Sequence, residues 1–483
     1  MKLKTLGLIT GPILFVIIFL FAKPTGLSAS GIATLAIATW IAIWWITEAI
    51  PISATALLPL ILFPLTGVLS AKETSSAYAH QMVFLFLGGF ILASAIEKTK
   101  LHKRIALHII YRIGTSWKYV ILGFMIATAF LSMWISNTAT AVMMLPIGLA
   151  IVSSLKIPKK QRNKMGKALM LAIAYGSSIG GIATIIGTPT NIIFVGIAEE
   201  LYGQSINFTD WMFIGLPFSI IMIVIGWLYL VKLQSSEDVY KIPGGKSLLR
   251  AQLNDLGKIT YEEKAVASVF VFIAFCWISS SFLLKNLLPG INDTVIAIIG
   301  VILLFLIPSG KGKTGIISWK TAENIPWGIL LLFGGGLALA EGFKSSGLAE
   351  WIGNQLVLFN TFPVILMLLG IIAVVNFLTE ITSNVATAAM LMPVLAALAL
   401  SIDIHPYLLM IGATIAASCA FMLPVATPPN AVVFGSGMIT IKEMVKAGLL
   451  MNLISIVIAT LVVYFILPIV WSIDIGSFPL NFK

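Results

Sequence analysis

The sequence predicts an all-α polytopic membrane protein with about eleven transmembrane helices and two re-entrant helical hairpins, arranged as an inverted repeat. Three observations carry this prediction: an apolar composition, apolar stretches of membrane-spanning length, and basic residues that collect in alternate loops. Of the 483 residues, 59% are hydrophobic and 10% are charged, whereas an ordinary soluble domain is about one quarter charged. With a mean hydropathy of +1.03, the chain has too little polar surface to fold in water.

The helices are predicted from apolar stretches, since about 20 apolar residues cross a bilayer as a helix. Simple spans are predicted near 6–22, 32–49, 52–69, 83–97, 168–198, 211–231, 265–284, 293–308, 326–343, 407–439 and 448–471. Two further stretches, 119–155 and 362–401, are too long for one crossing, and each is interrupted near its middle by a polar cluster. We predict that each is a hairpin that enters and leaves the membrane on the same side.

The distribution of Lys and Arg orients these helices. With both hairpins in place, one side of the membrane holds 25 of the 30 Lys and Arg residues, in segments 1–5, 98–118, 156–167, 232–264, 309–325 and 440–447. Cytoplasmic loops carry the excess of Lys and Arg, so the N-terminus is predicted to be cytoplasmic. The first hairpin then opens from the cytoplasm and the second from outside. This topology accounts for the net charge of +11 without a nucleic-acid partner, and the short loops favour a bacterial inner (plasma) membrane.

The two halves of the chain resemble each other at a nearly fixed offset. At a shift of 247 residues, Ser-Asn at 136–137 aligns with Ser-Asn at 383–384. At a shift of 239 residues, Thr-Pro-Thr-Asn at 188–191 aligns with Thr-Pro-Pro-Asn at 427–430. Because the paired spans run in opposite directions in the predicted topology, the repeat is inverted, as in alternating-access carriers.

This organisation divides the chain into five parts. They are the N-terminal scaffold helices (1–70), the first repeat with its cytoplasmic-side hairpin 119–155 (71–231), a cytoplasmic linker (232–264), the scaffold helices of the second half (265–325), and the second repeat with its outside hairpin 362–401 (326–483). The segment 98–118, in which apolar residues lie among charges, is predicted to be an interfacial helix.

Four polar helix breaks at membrane depth point to a binding site. They lie at 136–138, 187–191, 383–385 and 426–430, and the repeat pairs them, so that all four can converge near the midplane. Freed backbone groups are tolerated in a membrane where they line a cavity. A helix N-terminus attracts anions, and no Lys or Arg lies in the middle of a predicted span. We therefore predict a carrier of small anions whose charge is met by helix ends, polar side chains or co-bound cations such as Na+.

Few other residues suggest chemistry. Glu380 is the most deeply placed acid, and intramembrane carboxylates are functional candidates. Proton coupling, helix-end capping and direct contact with the substrate are all open for it. Cys276 and Cys419 lie in apolar segments and predict no disulfide. No nucleophile–histidine arrangement in a soluble domain is recognisable, so the protein is not expected to be an enzyme.

The paired breaks resemble the two hairpin-tip motifs of the divalent anion/sodium symporter (DASS) family. Ser-Asn-Thr at 136–138 and Ser-Asn at 383–384 look like these tip motifs, and the segment 418–433 is similar to the C-terminal signature of the family throughout. The resemblance runs from about residue 47 to the C-terminus. It implies eleven spans plus two hairpins, a scaffold and a mobile transport part, a homodimer, and an elevator-type transporter.

The resemblance also implies the residues of three ligand sites. One Na+ site would consist of Ser132, Ser136, Asn137 and Gly187. A second Na+ site would consist of Thr379, Ser383, Asn384 and Ala426. The substrate would be bound by Ser136, Asn137, Thr138, Ser383, Asn384, Val385, Thr188, Pro189, Thr427 and Pro428. No cofactor is implied beyond Na+ as a coupling ion.

One position departs from the family pattern. Val385 stands where the second tip motif has Thr, which removes a hydroxyl group from one side of the substrate pocket. The resemblance implies a carrier of C4/C5 dicarboxylates such as succinate, malate, fumarate or 2-oxoglutarate, and it leaves Na+-coupled symport and dicarboxylate exchange equally open. A sulfate carrier, an anion channel of the same topology, and a membrane enzyme or the membrane subunit of a pump are the alternatives.

Overall fold

The computed structural model describes residues 2–114, 116–155, 157–233, 245–310, 315–355 and 362–482. In this part of the chain the regular secondary structure is helical, apart from isolated bridge residues such as Pro308 and Gly315, which pair in an antiparallel bridge. The all-α prediction is therefore confirmed. Residues 234–244 of the predicted linker and residues 311–314 of the predicted basic segment 309–325 lie outside the described residues.

The helices of the first half differ in how they begin, and several start at a capping side chain or a proline. They are α1 (Lys2–Phe21), α2 (Ala29–Thr47), α3 (Ile52–Thr55), α4 (Leu58–Thr66), α5 (Ala71–Tyr78), α6 (Gln81–Lys98), α7 (Leu101–Ile113), α8 (Trp117–Ser132), α9 (Asn137–Ser154), α10 (Lys159–Ile182), α11 (Pro189–Tyr202), α12 (Phe208–Leu233) and α13 (Gly245–Asp255). Ser70 and Glu73, for example, form a reciprocal capping box at the start of α5.

The second half of the chain is also helical, and some of its helices begin with a capping side chain. Its helices are α14 (Tyr261–Ser279), a π-helical turn (Ser280–Leu284), α15 (Lys285–Leu287), α16 (Asp293–Leu306), α17 (Trp319–Ala322), α18 (Trp327–Ser345), α19 (Leu348–Gln355), α20 (Val364–Leu378), α21 (Asn384–Ser401), α22 (Pro406–Ser418), α23 (Pro428–Phe434), α24 (Ile441–Leu461), a second π-helical turn (Val462–Ile466), α25 (Leu467–Trp471) and a 3-10 turn (Leu480–Phe482). Thr440 and Glu443 form a capping box at the start of α24.

The helix bounds repeat at the offsets found in the sequence. α9 and α21 begin and end 247 residues apart, and α11 and α23 begin 239 residues apart. For α12 and α24 the offset narrows to 233 residues. Each helix from α6 to α12 thus has a partner among α18 to α24, while the opposite orientation of the two repeats in a membrane stays a prediction.

The span predicted at 52–69 contains two short consecutive helices. α3 ends at Thr55, and α4 begins at Leu58 with Pro59 in its first turn, where the missing N–H of proline is tolerated. The spans predicted at 168–198 and 407–439 are each divided, between α10 and α11 and between α22 and α23.

The four predicted breaks are present, but each begins earlier in the chain than predicted. The structure places them at 133–136, 183–188, 379–383 and 419–427. The motif residues Asn137, Pro189, Asn384 and Pro428 instead begin the next helices. Proline suits this first position because its N–H would have no helical partner there and its backbone angle is already helical.

The core of the molecule is formed by α10 and α22. Every residue of α22 is buried, and so is α10 from Ala168 onward. α10 packs against α8, α9 and α12, and α22 packs against α20 and α21. The crossing of α8 and α10 is very close, since a methyl group on Gly180 would lie 2.3 Å from the Ala129 carbonyl oxygen.

Within the described residues, nine helical segments are long and apolar enough to cross a membrane, and shorter apolar helices lie between them. The chain is therefore built as a multi-pass membrane protein. The total of eleven spans and the re-entrant course of the two hairpins stay predictions.

The segment predicted to be interfacial forms α7, which buries one face. Leu101 and Leu107 are buried, while Arg104 reaches from α7 to the start of α14 and pairs with Glu263, at 2.8 Å between Nε and Oε1. Burial acts to raise the pKa of Glu263, but the hydrogen bonds from Arg104 and Thr260 outweigh it, so the pKa lies below its ordinary value. This ion pair anchors α7 to α14.

Candidate functional site

The helices that follow the breaks pack crosswise between the two repeats. α23 of the second repeat packs against α9 and α10 of the first, and α11 of the first packs against α21 and α22 of the second. The hydroxyl oxygens of Thr190 and Ser418 lie 2.6 Å apart, and the ring centroids of Tyr175 and Phe421 lie 5.1 Å apart. The breaks thus meet in one region of the molecule.

At the first tip, oxygen atoms from three segments converge. The Ser132 hydroxyl lies 2.6 Å from the Asn137 side-chain oxygen and 2.6 Å from the Ser177 carbonyl oxygen. A methyl group placed on Gly181 would meet the Asn137 oxygen at 2.6 Å and the Gly187 carbonyl oxygen at 3.0 Å, so both oxygens border the same small space. Three of the four residues predicted for the first Na+ site are therefore together.

The fourth predicted residue of this site is engaged differently. The Ser136 hydroxyl accepts a hydrogen bond from the Ala139 N–H at 3.2 Å and so caps α9. The following Thr138 side chain is exposed. Ser136 therefore stabilises the helix start, and Asn137 supplies the side-chain oxygen behind the tip.

The second tip has the same construction. The Thr379 hydroxyl lies 2.6 Å from the Asn384 side-chain oxygen and 3.1 Å from the Ala417 carbonyl oxygen. Thr379 precedes Asn384 by five residues, as Ser132 precedes Asn137. Ser383 occupies the N-cap position of α21 without a side-chain capping bond, and Ala426 is buried within the break between α22 and α23.

The donor atoms at both tips suit a hard monovalent cation. They are hydroxyl, amide and carbonyl oxygens, and unwound carbonyls next to helix ends are the usual Na+ ligands of carriers with broken helices. The residues present therefore fit the two predicted Na+ sites by the chemistry of their donors.

Two asparagines for which the sequence predicts no role hold the two interrupted segments, which are residues 183–188 between α10 and α11 and residues 419–427 between α22 and α23. In both repeats the side-chain amide donates to carbonyl oxygens ten and seven residues earlier in the chain. These are Gly181 and Thr184 for Asn191, at 3.2 and 2.8 Å, and Ala420 and Leu423 for Asn430, at 3.1 and 3.0 Å. The repetition of Asn as the fourth residue of the Thr-Pro-x-Asn motif in both halves is the sequence feature from which this role could have been predicted.

A glycine on the next helix also approaches each interrupted segment. A methyl group on Gly215 would lie 2.4 Å from the Ile182 carbonyl oxygen, and one on Gly448 would lie 2.1 Å from the Phe421 carbonyl oxygen. Only glycine allows α12 and α24 to come this close. Protein therefore packs directly against the backbone at these two breaks, and irregular backbone is tolerated in a membrane where it is buried in protein or lines a cavity.

The remaining predicted substrate residues lie at the starts of the same helices. Thr188 and Thr427 are buried, and Pro189 and Pro428 follow them as the first residues of α11 and α23. The Thr427 hydroxyl accepts a hydrogen bond from the Asn430 N–H at 3.3 Å and so caps α23, whereas the Thr188 side chain makes no capping bond to α11. Val385 is half-buried beside the second tip.

Comparison with known proteins identifies the family. The profile of the sodium:sulfate symporter transmembrane region matches residues 2–472. The chain belongs to this family. Its sequence is 49% identical to that of the sodium-dependent dicarboxylate transporter SdcS of Staphylococcus saprophyticus (strain ATCC 15305) and to that of Staphylococcus aureus (strain MRSA252). Each match covers 99% of this chain and 94% of the relative. The resemblance to the divalent anion/sodium symporters is thus confirmed.

Two solved structures have the same fold as this chain, although their sequence identity to it is low. MtrF of Neisseria gonorrhoeae, from a class of antimetabolite efflux pumps, has a TM-score of 0.60 at 12% identity, over 96% of this chain and 94% of MtrF. The YdaH transporter of Alcanivorax borkumensis, described as having an unusual topology, has a TM-score of 0.59 at 13% identity, over 90% and 98%. The fold is therefore one that membrane transporters use.

In this symporter family member, Glu380 contacts the second interrupted segment. Its carboxylate accepts hydrogen bonds from the N–H groups of Met422 and Leu423, each at 2.9 Å, and from the Asn452 side-chain amide at 2.7 Å. The partners of Glu380 in the backbone lie in the irregular residues 419–427 between α22 and α23, and which of the three roles left open by the sequence it has stays a prediction.

Proposed function

We propose that the protein is a Na+-coupled carrier of C4/C5 dicarboxylates that works by alternating access. The observation that carries this proposal is the pair of equivalent tips, in which Ser132 with Asn137 and Thr379 with Asn384 make the same 2.6 Å contact. The names of the 49%-identical relatives, sodium-dependent dicarboxylate transporters, support it.

The two tips suggest how a dicarboxylate is held. α9 and α21 each present a helix N-terminus at a tip, where unpaired N–H groups and the helix dipole favour a carboxylate. One carboxylate of the substrate would lie at each tip. Because no Lys or Arg lies in the middle of a predicted span, Na+ bound behind Asn137 and Asn384 would supply the compensating positive charge.

Sulfate is the second candidate substrate, because the family description names it. A sulfate ion presents one anionic centre, whereas a C4 or C5 dicarboxylate presents two that are separated by a carbon chain. Two equivalent tips, each with its own helix N-terminus and cation ligands, favour the substrate with two anionic ends.

The mode of coupling follows from the same donors. Oxygen-rich surroundings at both tips support Na+ symport, as the names of the relatives do. Val385 is the feature that points towards exchange. The proposed carrier is a homodimer that works by an elevator motion. It lies in a bacterial inner membrane with its N-terminus in the cytoplasm, and it needs no enzymatic chemistry.

Uptake of radiolabelled succinate into proteoliposomes tests the proposal, with and without external Na+ and with and without internal unlabelled succinate. Uptake into empty vesicles that requires a Na+ gradient is the expected result, and excess sulfate should compete weakly. Uptake that ignores Na+ but requires internal succinate would replace symport by exchange. Uptake that never saturates would replace the carrier by a channel.

Matched variants connect this activity to the tips. Asn137→Ala and Asn384→Ala should abolish uptake without unfolding the protein, because each removes the side-chain oxygen shared with Ser132 or Thr379. Asn354→Ala, at an exposed position on α19, is the control and should transport normally. Normal uptake by either tip variant would refute the two-tip site.

A further inference from the structure

Glu380 links the second tip to the second interrupted segment. It directly follows Thr379, whose hydroxyl contacts Asn384 at the tip, and Glu380 itself is only 3% exposed. One carboxylate oxygen accepts from the Met422 N–H and from the Asn452 amide, and the other accepts from the Leu423 N–H. Without the carboxylate, two N–H groups of the interrupted segment would lose their partner, which is costly for buried groups.

The first repeat makes the same link with the roles of backbone and side chain exchanged. Met133 corresponds to Glu380 at the offset of 247 residues, and Thr184 corresponds to Leu423 at the offset of 239. The Thr184 hydroxyl donates to the Met133 carbonyl oxygen at 2.5 Å. Both repeats therefore fasten the end of the hairpin helix to the broken segment at equivalent positions, but the second repeat does so with a carboxylate.

Asn452 holds this carboxylate in place. Asn452 is fully buried on α24, its amide nitrogen donates to Glu380, and its oxygen accepts from the Phe421 N–H at 3.1 Å. Ser219 occupies the corresponding position on α12 and donates to the Ile179 carbonyl oxygen at 2.8 Å. The larger amide of the second repeat is what allows α24 to reach the carboxylate.

We propose that Glu380 and Asn452 form a clamp that positions the second cation site, an inference that rests on the function proposed above. The clamp fixes Met422 and Leu423, and the Ala426 N–H donates to the Leu423 carbonyl oxygen at 3.2 Å. The carbonyl of Ala426, a predicted Na+ ligand, is thereby held relative to Thr379. Glu380 is a positioning residue that acts through the segment it holds.

Glu380→Gln tests the clamp, because it keeps the size of the side chain while turning one acceptor into a donor that faces an N–H. The Na+ concentration that gives half-maximal succinate uptake should rise by at least about tenfold, as for the loss of a residue that orients metal ligands. The KM for succinate at saturating Na+ should change by less than about twofold. Glu350→Gln, which removes an exposed carboxylate on α19, is the control and should change neither value.

Asn452→Ser provides a milder variant, since it installs the residue that the first repeat uses at this place. It should shift the Na+ dependence in the same direction as Glu380→Gln. The double variant should shift it no further than Glu380→Gln alone, because groups that act together are not additive. An unchanged Na+ dependence in Glu380→Gln, or in Asn452→Ser should the glutamine variant fail to fold, overturns the clamp.

Thermal unfolding separates this inference from the proposed function. Na+ that binds the folded protein raises its Tm, and this Na+-induced rise should shrink in Glu380→Gln. Equal Tm losses with and without Na+ would make Glu380 a purely structural residue and refute the proposal. If the unaltered protein shows no Na+-dependent uptake of succinate, the proposed function fails, while the Na+-induced change in Tm still tests the clamp.

Discussion

Gly181→Ala is the most direct probe of the first tip. The added methyl group would lie 2.6 Å from the Asn137 side-chain oxygen and 3.0 Å from the Gly187 carbonyl oxygen. Ordinary contacts of a methyl carbon begin near 3.4 Å, so the Asn137 oxygen must move by roughly 0.8 Å to relieve the overlap. It can do so by rotating away from Ser132.

This movement should affect both stability and cation binding. Stability should fall by about 0–2 kcal/mol, because alanine favours the helix by about 1 kcal/mol and overpacking costs about 1–3 kcal/mol. Cation binding should weaken as well, since metal sites tolerate displacements of only about 0.2 Å in their ligands. We expect the half-saturating Na+ concentration to rise by at least about tenfold.

Na+-activation curves for succinate uptake in proteoliposomes measure this effect, with Tm measured in parallel. Gly370→Ala is the matched control, because a methyl group there would meet nothing within 4 Å, and it should leave both values unchanged or raise Tm slightly. Wild-type Na+ dependence together with a normal Tm in Gly181→Ala would show that Asn137 and Gly187 do not share a cation.

Three further predictions follow from the contacts. Val385→Thr returns a hydroxyl group to the second tip and should change the KM for succinate or the Na+ dependence by about two- to tenfold, the value of one hydrogen bond; transport assays that find neither change would remove Val385 from the site. Asn191→Ala and Asn430→Ala leave buried carbonyl oxygens without a donor and should each destabilise the protein by about 1–3 kcal/mol, measured by thermal unfolding; an unchanged Tm would contradict this. Arg104→Ala should destabilise the protein by about 1–3 kcal/mol in thermal unfolding, because Glu263 loses its charged partner and keeps the hydrogen bond from the Thr260 N–H. Because the pKa of Glu263 is lowered in the folded protein, this difference in stability should be complete above the ordinary pKa of Glu and disappear as the pH falls through the lowered value.

Much of the fold was predictable because the length of an apolar stretch indicates whether it can cross a bilayer, and because basic residues collect in loops on one side of the membrane. The bounds of α9 and α21 agree closely with the second halves of the predicted hairpins, and these helices begin at Asn137 and Asn384 of the two tip motifs. The breaks were placed too late in the chain because a polar motif was interpreted as the break itself. In the structure Pro189 and Pro428 start the next helix, and the unwound residues come before them.

The contacts across the site could not be predicted in the same way. Asn191 and Asn430 lie within the repeated motifs. Their side-chain amides donate hydrogen bonds to carbonyl groups earlier in the chain, and these carbonyls become free only because the preceding helix ends there. The role of Glu380 stayed open because its partners, Met422 and Leu423, are backbone groups of a segment whose unwinding is visible only in three dimensions.

The crosswise packing of the repeats bears on how the protein is made. α9 is complete once residue 154 has been synthesised, whereas α23, which packs against it, ends at Phe434. At about 5–20 residues per second, α9 waits roughly 15–60 s for this packing partner. During this interval the contacts of the first tip within its own repeat can form, but α9 lacks its partner from the second repeat. The first half synthesised alone should therefore form its helices without a working site, and two separately expressed halves should bind substrate only after they assemble.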